Sequence, residues 1–217
     1  MSLRSQILSF CEHVEPSLNS KVAVCVNEYQ LPDSYSFLLE IANGFVLKRS
    51  WFRLFGVEPD LTYLDIHQWN RSPWIAEYGN LAAGLVFFAE DVFGDQYAFR
   101  FVSSAREPTL VKFWCEGGEV QDLGVTSLQT WFLETVFSDE PLFLDRDLAV
   151  AAFQKGLRPS GKEHLSFILP LITGGSAEVE NIEVLDRIFH LHLLGQLSLK
   201  NLRLPEGERI VHFWSES

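Results

Sequence analysis

The chain has 217 residues, of which 47% are hydrophobic and 21% are charged, and this composition excludes an intrinsically disordered protein. The formal net charge of −12 disfavours direct binding to nucleic acid, because an acidic surface repels the phosphate backbone. The same charge favours encounters with basic partners, although the ordinary solubility of an acidic protein accounts for it equally well.

The N-terminal segment and the cysteines are typical of a cytoplasmic protein. Residues 1–15 are amphipathic and lack the uninterrupted apolar stretch of a signal peptide, and the longest apolar run, 81–89, is too short to span a bilayer. Cys11, Cys25 and Cys115 are odd in number and form no Cys-x-x-Cys pair. We therefore expect free thiols, no zinc site and no membrane partner.

Two helices are predicted within the first 44 residues, and residues 21–30 are either a short helix or a loop. Apolar residues at helical spacing over 3–14 predict an opening helix. Pro32 and the polar residues after it mark the start of a second helix. Asn43 and Gly44 end that helix, because both residues tolerate the left-handed backbone conformation of a helix stop.

A strand, a helix and a loop are predicted next. Residues 51–57 are rich in aromatic side chains and predict a strand, and a helix over 60–69 follows. The segment 70–80 contains proline and glycine, so we predict a loop that holds Trp74 and Tyr78. These two side chains either anchor an interface with a protein partner or pin the loop onto the sheet.

The middle of the chain is predicted to be a β-meander. Four short apolar or alternating runs are separated by turn-forming residues, and they cover 85–89, 96–102, 110–115 and 120–125. A helix over 127–137 follows, and Ser127 is available as its cap.

A boundary is predicted where the chain becomes polar at 138–141. It separates a domain over 1–138 from an extension over 139–217, which contains predicted helices at 145–155 and 183–201 and a final strand at 210–214. The order of elements predicts an α+β fold. We expect a mixed, mostly antiparallel sheet flanked by helices, with a mainly helical extension packed on the first domain.

Carboxylates surround Gly94 between two of the predicted strands. They belong to Glu90, Asp91 and Asp95. Clustered carboxylates can bind calcium, but this spacing does not match an EF-hand loop, so a turn at a hairpin tip is the favoured interpretation. If the cluster is functional, we expect it to contact basic groups of a partner protein.

The sequence contains no nucleophile-elbow motif and no phosphate-binding loop. His190 and His192 are two positions apart on a predicted helix and point to different faces, so they cannot hold one metal ion together. A catalytic Cys–His pair stays open, because such partners can meet from distant positions. We predict no metal, no cofactor and no catalytic residue.

Four stretches of the chain, taken in order, carry a resemblance to a known family. They are residues 31–45, residues 52–56, the two tryptophans of 69–74, and residues 88–99. The positions that carry it most clearly are Leu31, Pro32, Tyr35, Asn43, Gly44, Phe55, Gly56, Trp69, Gly94 and Tyr97. In this order they resemble the SUKH superfamily, which includes the fungal Smi/Knr cell-wall regulators and many bacterial immunity proteins.

The resemblance implies a mixed sheet packed by helices, a role in binding protein partners, and no catalytic residues. The matching positions are then expected to be structural. In bacteria the resemblance also implies a neighbouring gene that encodes a toxin. The segment 157–214 resembles extensions attached to some immunity proteins of type VI secretion, and this likeness does not say what the extension does.

Three hypotheses follow for function. The leading one is an immunity protein, a monomer or weak homodimer, that covers the active site of a cognate secreted toxin such as a nuclease with a basic cleft. The alternative is an intracellular regulatory scaffold of the Smi/Knr type that binds several proteins. The third is a hydrolase, which would require a titrating thiol or histidine inside a pocket.

Overall fold

A computed structural model of the chain describes residues 2–18, 22–103, 105, 107–125, 127–137, 145–205 and 210. Within these residues a seven-stranded sheet is combined with helices, and the predicted α+β fold class is confirmed. The predicted boundary at 138–141 lies outside the described residues, as does the predicted final strand apart from Ile210.

The strands form one large sheet and two small hairpins. In chain order they are β1 (Cys11–Val14), β2 (Cys25–Val26), β3 (Tyr29–Gln30), β4 (Phe45–Leu47), β5 (Phe52–Leu54), β6 (Leu85–Asp91), β7 (Gln96–Arg100), β8 (Thr109–Trp114), β9 (Glu119–Asp122), β10 (Glu163–Phe167) and β11 (Ile182–Asp186). The large sheet has the spatial order β1-β4-β5-β6-β7-β8-β9, and each neighbouring pair in it is antiparallel. The predicted meander is therefore confirmed as β6 to β9.

The helices are short except for the last one. They are α1 (Leu3–Phe10), α2 (Asp33–Ile41), α3 (Ile66–Trp69), α4 (Trp74–Tyr78), α5 (Leu128–Trp131), α6 (Arg146–Gln154) and α7 (Arg187–Asn201). A π-helical turn continues α5 over Phe132–Val136. Side chains of Asp65, Ser127, Asp145 and Asp186 accept backbone N–H bonds at the starts of α3, α5, α6 and α7.

Three sequence predictions in the first half are wrong. The predicted loop 70–80 contains α4, because Pro73 stands at a helix start, where a missing N–H donor costs nothing. The predicted helix 60–69 is reduced to α3, because the cap is Asp65. The predicted opening helix over 3–14 is too long. Its first part is α1, and its last four positions form β1, which pairs with β4.

Both faces of the large sheet are covered by helices. All seven residues of the central strand β6 are buried. Phe87 contacts the ring of Trp74 in α4, whereas Phe88 contacts Tyr35 in α2 and Trp131 in α5. A strand buried on both faces is a continuous apolar run in the sequence, and the two charged residues at its end therefore require partners.

The C-terminal part, residues 145–205, consists of α6, the β10–β11 hairpin and α7. The predicted helix over 183–201 begins only at α7, because Asp186 caps it and the preceding residues pair with β10. A small core lies beneath the hairpin and α6, and Leu191, Leu194 and Leu197 of α7 join the main core. At Gly195 a Cβ atom would lie 2.7 Å from Cβ of Glu77, so α7 approaches α4 closely.

Residues of the first two resembling stretches contact one another in the fold. The Tyr35 hydroxyl donates to the carbonyl of Phe55 at 2.6 Å. The Asn43 side chain donates to the carbonyl of Val57 and accepts from its N–H, both at 2.8 Å. At Gly56 a Cβ atom would lie 2.0 Å from the carbonyl oxygen of Asn43, so only glycine fits. These residues fix the end of α2 against the sheet.

Candidate binding site

Glu90 lies in the central strand β6 and is completely buried. Its Oε1 accepts hydrogen bonds from Arg53 Nη1 at 3.1 Å and from Arg187 Nη1 at 2.7 Å. Its Oε2 accepts one from Gln96 Nε2 at 3.2 Å, and it lies 3.2 Å from His164 Nε2. We call these five buried residues the Glu90 network.

The two arginines of this network fasten the C-terminal part to the sheet. Arg53 Nη2 donates to the backbone carbonyls of Ser160 at 2.9 Å and Glu163 at 2.7 Å. Arg187, at the start of α7, donates through Nη2 to the carbonyl of Tyr63. A buried charge is tolerated only when it is paired and hydrogen-bonded. The docked C-terminal part supplies carbonyl acceptors to Arg53 and a second guanidinium to Glu90.

The titration of the network follows from its surroundings. Burial opposes ionisation of Glu90, but the nearby positive charges, that of Arg187 first, outweigh it and hold the pKa far below the ordinary range. The Nδ1 atoms of His164 and His190 lie 3.2 Å apart, and burial lowers the pKa of both imidazoles. Both histidines are therefore neutral at neutral pH, and the Glu90 network is a sealed structural element.

A second group of buried charges lies at the turn between β6 and β7. Lys112 Nζ, in β8, lies 2.8 Å from Asp95 Oδ2 and 3.6 Å from Asp91 Oδ2. Asp91 also accepts hydrogen bonds from the Tyr97 hydroxyl at 3.1 Å and from the backbone N–H of Phe93 at 3.0 Å. The turn at the hairpin tip is thus held by its own carboxylates, as the favoured interpretation of the sequence predicted.

The pKa values of Asp91 and Lys112 in this second group are both raised, for different reasons. Burial, followed by the charge of Asp95, raises the pKa of Asp91 against the opposing effect of Lys112. Burial lowers the pKa of Lys112, but Asp95 and Asp91 raise it by more. The two shifts agree with the distances, because Asp95 is the nearer carboxylate and takes the stronger ion pair. Lys112 therefore stays protonated, and its ammonium group interacts with both carboxylates.

A cavity of about 130 Å³ opens beside Lys112, between the turns of the sheet and the C-terminal part. Its walls combine aromatic and acidic side chains, chiefly Phe93, Trp114, Phe167, Asp95, Glu116 and Asp145. Glu116 Oε2 accepts a hydrogen bond from the backbone N–H of Ile172 at 3.2 Å. Its Oε1 is buried and has no hydrogen-bond partner among the described residues. Burial raises the pKa of Glu116 to about 6. We call this space the Glu116 cavity.

Exposed apolar side chains lie around the Glu116 cavity. Trp114 and Leu171 line it and are 38% and 36% exposed. Ile168 and Leu169 are 55% and 45% exposed, and they lie in the chain between the lining residues Phe167 and Leu171. We call these four exposed side chains the apolar rim. Exposed apolar side chains beside a pocket are typical of an interaction surface when they form a patch.

The structure corrects most of the predicted partner contacts. Glu90, Asp91, Trp74 and Tyr78 are buried, so they do not form a surface that a partner could touch directly. The two carboxylates end a strand that is covered on both faces, and the two aromatic side chains form the inner side of α4 against the sheet. Asp95 alone is partly exposed, and it lines the Glu116 cavity.

The remaining positions that carry the family resemblance have structural roles in the fold. Leu31 is buried, and Pro32 directly precedes α2. Gly44 has a φ angle of 101°, which favours glycine. The Trp69 indole donates to Gln96 Oε1 at 2.8 Å. These contacts are structural in kind.

Gly94 connects the hairpin tip to the C-terminal part. Its φ angle is 87°, and a Cβ atom there would lie 2.7 Å from Nδ1 of His164. A larger residue would therefore be strained and would also push β10 away from the sheet. Tyr97, two positions after the turn carboxylate Asp95, packs its ring against Trp131 and donates to Asp91.

Sequence reasoning missed the residues that define the Glu90 network and the Glu116 cavity. Arg53 and Lys112 interrupt short apolar strands, and an isolated charge inside such a run is a signal for a buried ion pair. Arg187 and Glu116 carry no comparable signal, because their partners Glu90 and Ile172 lie far away in the chain. Their roles depend on tertiary contacts.

Comparisons with known proteins add little to the geometry. No family model matches the chain, and no curated protein matches it. Among solved structures, the crystal structure of Atu4351 from Agrobacterium tumefaciens is similar over 76% of each chain, with a TM-score of 0.46 and 13% sequence identity. In the described part of the chain, no helix is long and apolar enough to cross a bilayer, and no three His, Cys, Asp or Glu side chains are grouped to hold a metal ion.

Proposed function

We propose that this chain is a non-catalytic binding protein, an immunity protein of the SUKH type that covers the basic active site of a cognate toxin in the cytoplasm. The observation that carries the proposal is the Glu116 cavity with its apolar rim. Protein interfaces obtain tight binding from a few desolvated aromatic or aliphatic anchors, and they obtain fast, selective encounter from complementary charge. The rim offers the anchors, and the acidic chain with its acidic cavity offers the charge.

Two of the three thiols, those of Cys115 and Cys11, favour binding over catalysis. A thiolate, not a thiol, is the nucleophile in cysteine enzymes. Cys115 is buried, its Sγ donates to the carbonyl of Gly94 at 2.7 Å, and burial raises its pKa well above the ordinary value. Burial also raises the pKa of Cys11 to about 12. Neither group is ionised at neutral pH.

The buried histidines support the same conclusion. A general base needs a pKa near the working pH and access to substrate. His164 and His190 are buried against the Glu90 network, and burial lowers the pKa of both. Their geometry suits the packing of β10 and α7 onto the sheet.

Contacts between the resembling stretches support the proposed SUKH likeness. The hydrogen bond from Tyr35 to Phe55 joins the first stretch to the second, and a Cβ atom at Gly44 would lie 3.2 Å from the backbone of Gly56. Asn43 of the first stretch bonds Val57, the residue that directly follows the second. Residues that contact one another in this way are expected to occur together in a family that shares the fold.

The proposal is tested by co-expressing the chain with the toxin that a neighbouring gene is expected to encode. We expect the chain to restore growth and to co-purify with the toxin. Trp114→Ala and Leu169→Asp should abolish rescue, because each removes an anchor or places a charge in the apolar rim. Circular dichroism and thermal unfolding establish that both variants are folded.

The matched control is Phe37→Ala, which removes an aromatic side chain that is 43% exposed on α2, away from the rim. This variant should rescue growth as the unchanged chain does. Failure of the unchanged chain to protect cells or to bind the toxin would contradict the proposal. Equal loss of rescue in the rim variants and in Phe37→Ala would refute the assignment of the binding face.

A further inference from the structure

Glu116 has one oxygen that the described residues leave without a donor. Its Oε2 accepts from the backbone of Ile172, and its Oε1 is buried at the wall of the cavity. Buried acceptors almost always have a partner, and an exception calls for an explanation. A hydrogen-bond donor that enters the cavity from outside would complete this carboxylate.

The charge balance of the cavity favours a positively charged donor. Four carboxyl groups line it, those of Asp91, Asp95, Glu116 and Asp145, against the one ammonium of Lys112. That ammonium is bound by Asp95 at 2.8 Å and lies 3.6 Å from Asp91, so its charge is balanced within the wall. Two further titratable groups line the cavity and are uncharged: burial lowers the pKa of His190 and raises that of the Cys115 thiol. Glu116 and Asp145 therefore leave an excess of negative charge.

The size and the walls of the cavity limit the shape of that donor. A cavity of roughly 150 Å³ holds a benzene molecule, and this one, at about 130 Å³, holds a group of similar size. The rings of Phe93 and Phe167 are nearly parallel, with centroids 6.0 Å apart, and Trp114 forms another part of the wall. Flat aromatic surfaces beside a carboxylate suit a planar cation with an apolar stem.

We propose that the Glu116 cavity receives a single arginine side chain of the partner protein, whose guanidinium donates to Glu116 Oε1 and lies against the aromatic wall. The inference rests on the proposed function, because it names the chemical group by which a basic partner is recognised at that face. Arginine fits better than lysine, since its planar guanidinium stacks on aromatic rings and is more weakly hydrated.

The inference is tested with a blocked tripeptide, acetyl-Gly-Arg-Gly-amide, titrated into the ¹⁵N-labelled chain at low salt and neutral pH. The readouts are the indole N–H resonance of Trp114, assigned with Trp114→Phe, and the backbone amide of Glu116. We expect saturable shifts of both. The analogue with citrulline in place of arginine has the same shape without the charge, and it should bind at least about tenfold more weakly.

Two variants locate the contact. Glu116→Gln keeps the shape of the side chain and should weaken binding of the arginine peptide at least about tenfold. The control is Glu119→Gln in β9, an exposed carboxylate three positions away that does not line the cavity, and it should bind as the unchanged chain does. Absence of shifts up to the solubility limit of the peptide, equal binding of the citrulline peptide, or unchanged binding by Glu116→Gln would each overturn the inference.

The outcome is separable from that of the toxin-rescue experiment. If Glu116→Gln still protects cells from the toxin and binds it as tightly, the proposed function stands and the arginine site is refuted. If the chain protects against no toxin but binds the arginine peptide through Glu116, the site stands and the proposed function is refuted.

Discussion

Glu90 and Glu116 are two carboxylates withdrawn from water, and they differ in what surrounds them. Glu90 accepts hydrogen bonds from three side chains, and the charges around it hold its pKa far below the ordinary range. Glu116 is bound at Oε2 by the backbone of Ile172, and burial raises its pKa to about 6. The comparison teaches that the partners of a buried carboxylate, more than its depth, distinguish a structural group from one that is open to a ligand.

The largest expected effect on the free energy of unfolding comes from substituting Glu90, the structural carboxylate of the pair. Glu90→Gln leaves the guanidinium groups of Arg53 and Arg187 buried without a counter-charge, so we expect it to lower the free energy of unfolding by about 3–5 kcal/mol. The measurement is urea denaturation at neutral pH. The control is Glu183→Gln, an exposed glutamate of β11, which should change stability by less than about 0.5 kcal/mol. Similar effects of the two variants would mean that the Glu90 network is not structural.

The second expected effect concerns α7, which is shared by both regions. Arg187 of this helix joins the Glu90 network, and Leu194 lines the Glu116 cavity. Helix propensity alone favours alanine over glycine by about 1 kcal/mol. Gly195→Ala nevertheless places a Cβ atom 2.7 Å from Glu77, and we expect it to destabilise the chain by about 1–3 kcal/mol.

The matched control for Gly195→Ala is Gln196→Ala at an exposed position of the same helix. It should leave the midpoint of thermal unfolding almost unchanged. If Gly195→Ala is instead stabilising, the helix follows its intrinsic propensity and the close contact between α4 and α7 is not rigid.

The third expected effect is a pH dependence of the Glu90 contribution. The folded-state pKa of Glu90 lies below its ordinary value of 4.5, so its stabilising effect is fully present above that pH and is lost as the pH falls. The difference in unfolding free energy between the unchanged chain and Glu90→Gln should therefore shrink below about pH 4.5, by at most about 1.4 kcal/mol per pH unit. A difference that stays constant down to pH 3, about 1.5 units below the ordinary pKa of 4.5, would show that the Glu90 charge is not stabilised by its partners.

The smallest expected effect concerns Glu116, and here the substitution is expected to raise the free energy of unfolding. The folded-state pKa of Glu116 is raised to about 6, so its ionisation above that pH opposes folding. Glu116→Gln should raise the free energy of unfolding by up to about 1 kcal/mol at slightly alkaline pH. This gain should disappear as the pH falls through 6 towards the ordinary value of 4.5, and a loss of stability throughout would contradict the comparison.

The sequence predicts the large sheet better than the two charged regions. The strands of the meander are recognisable because apolar runs alternate with turn-forming residues, and each turn is local in the chain. The start of α7 was misplaced because Ile182–Asp186 contains apolar residues that continue the helical spacing, and only pairing with β10 makes it a strand. Local patterns do not contain such pairings.

The candidate site shows the same limit. Carboxylates at Glu90, Asp91 and Asp95 are visible in the sequence, but whether a carboxylate faces a partner or an arginine depends on residues about a hundred positions away. Glu116 follows directly after a strand and has no distinguishing neighbour in the sequence. Its unpartnered oxygen is visible only when Ile172 and the cavity walls are placed around it.

Arg187 follows Glu90 by 97 positions, and Ser160 follows Arg53 by 107. While the chain is being synthesised, the Arg53–Glu90 pair therefore leaves the ribosome long before the C-terminal groups that complete its hydrogen bonds. We expect the nascent sheet to stay open and exposed to chaperones until residue 187 has emerged, and then to close in one late cooperative step. Cutting the chain between residues 138 and 160 should accordingly yield two fragments that fold only when mixed.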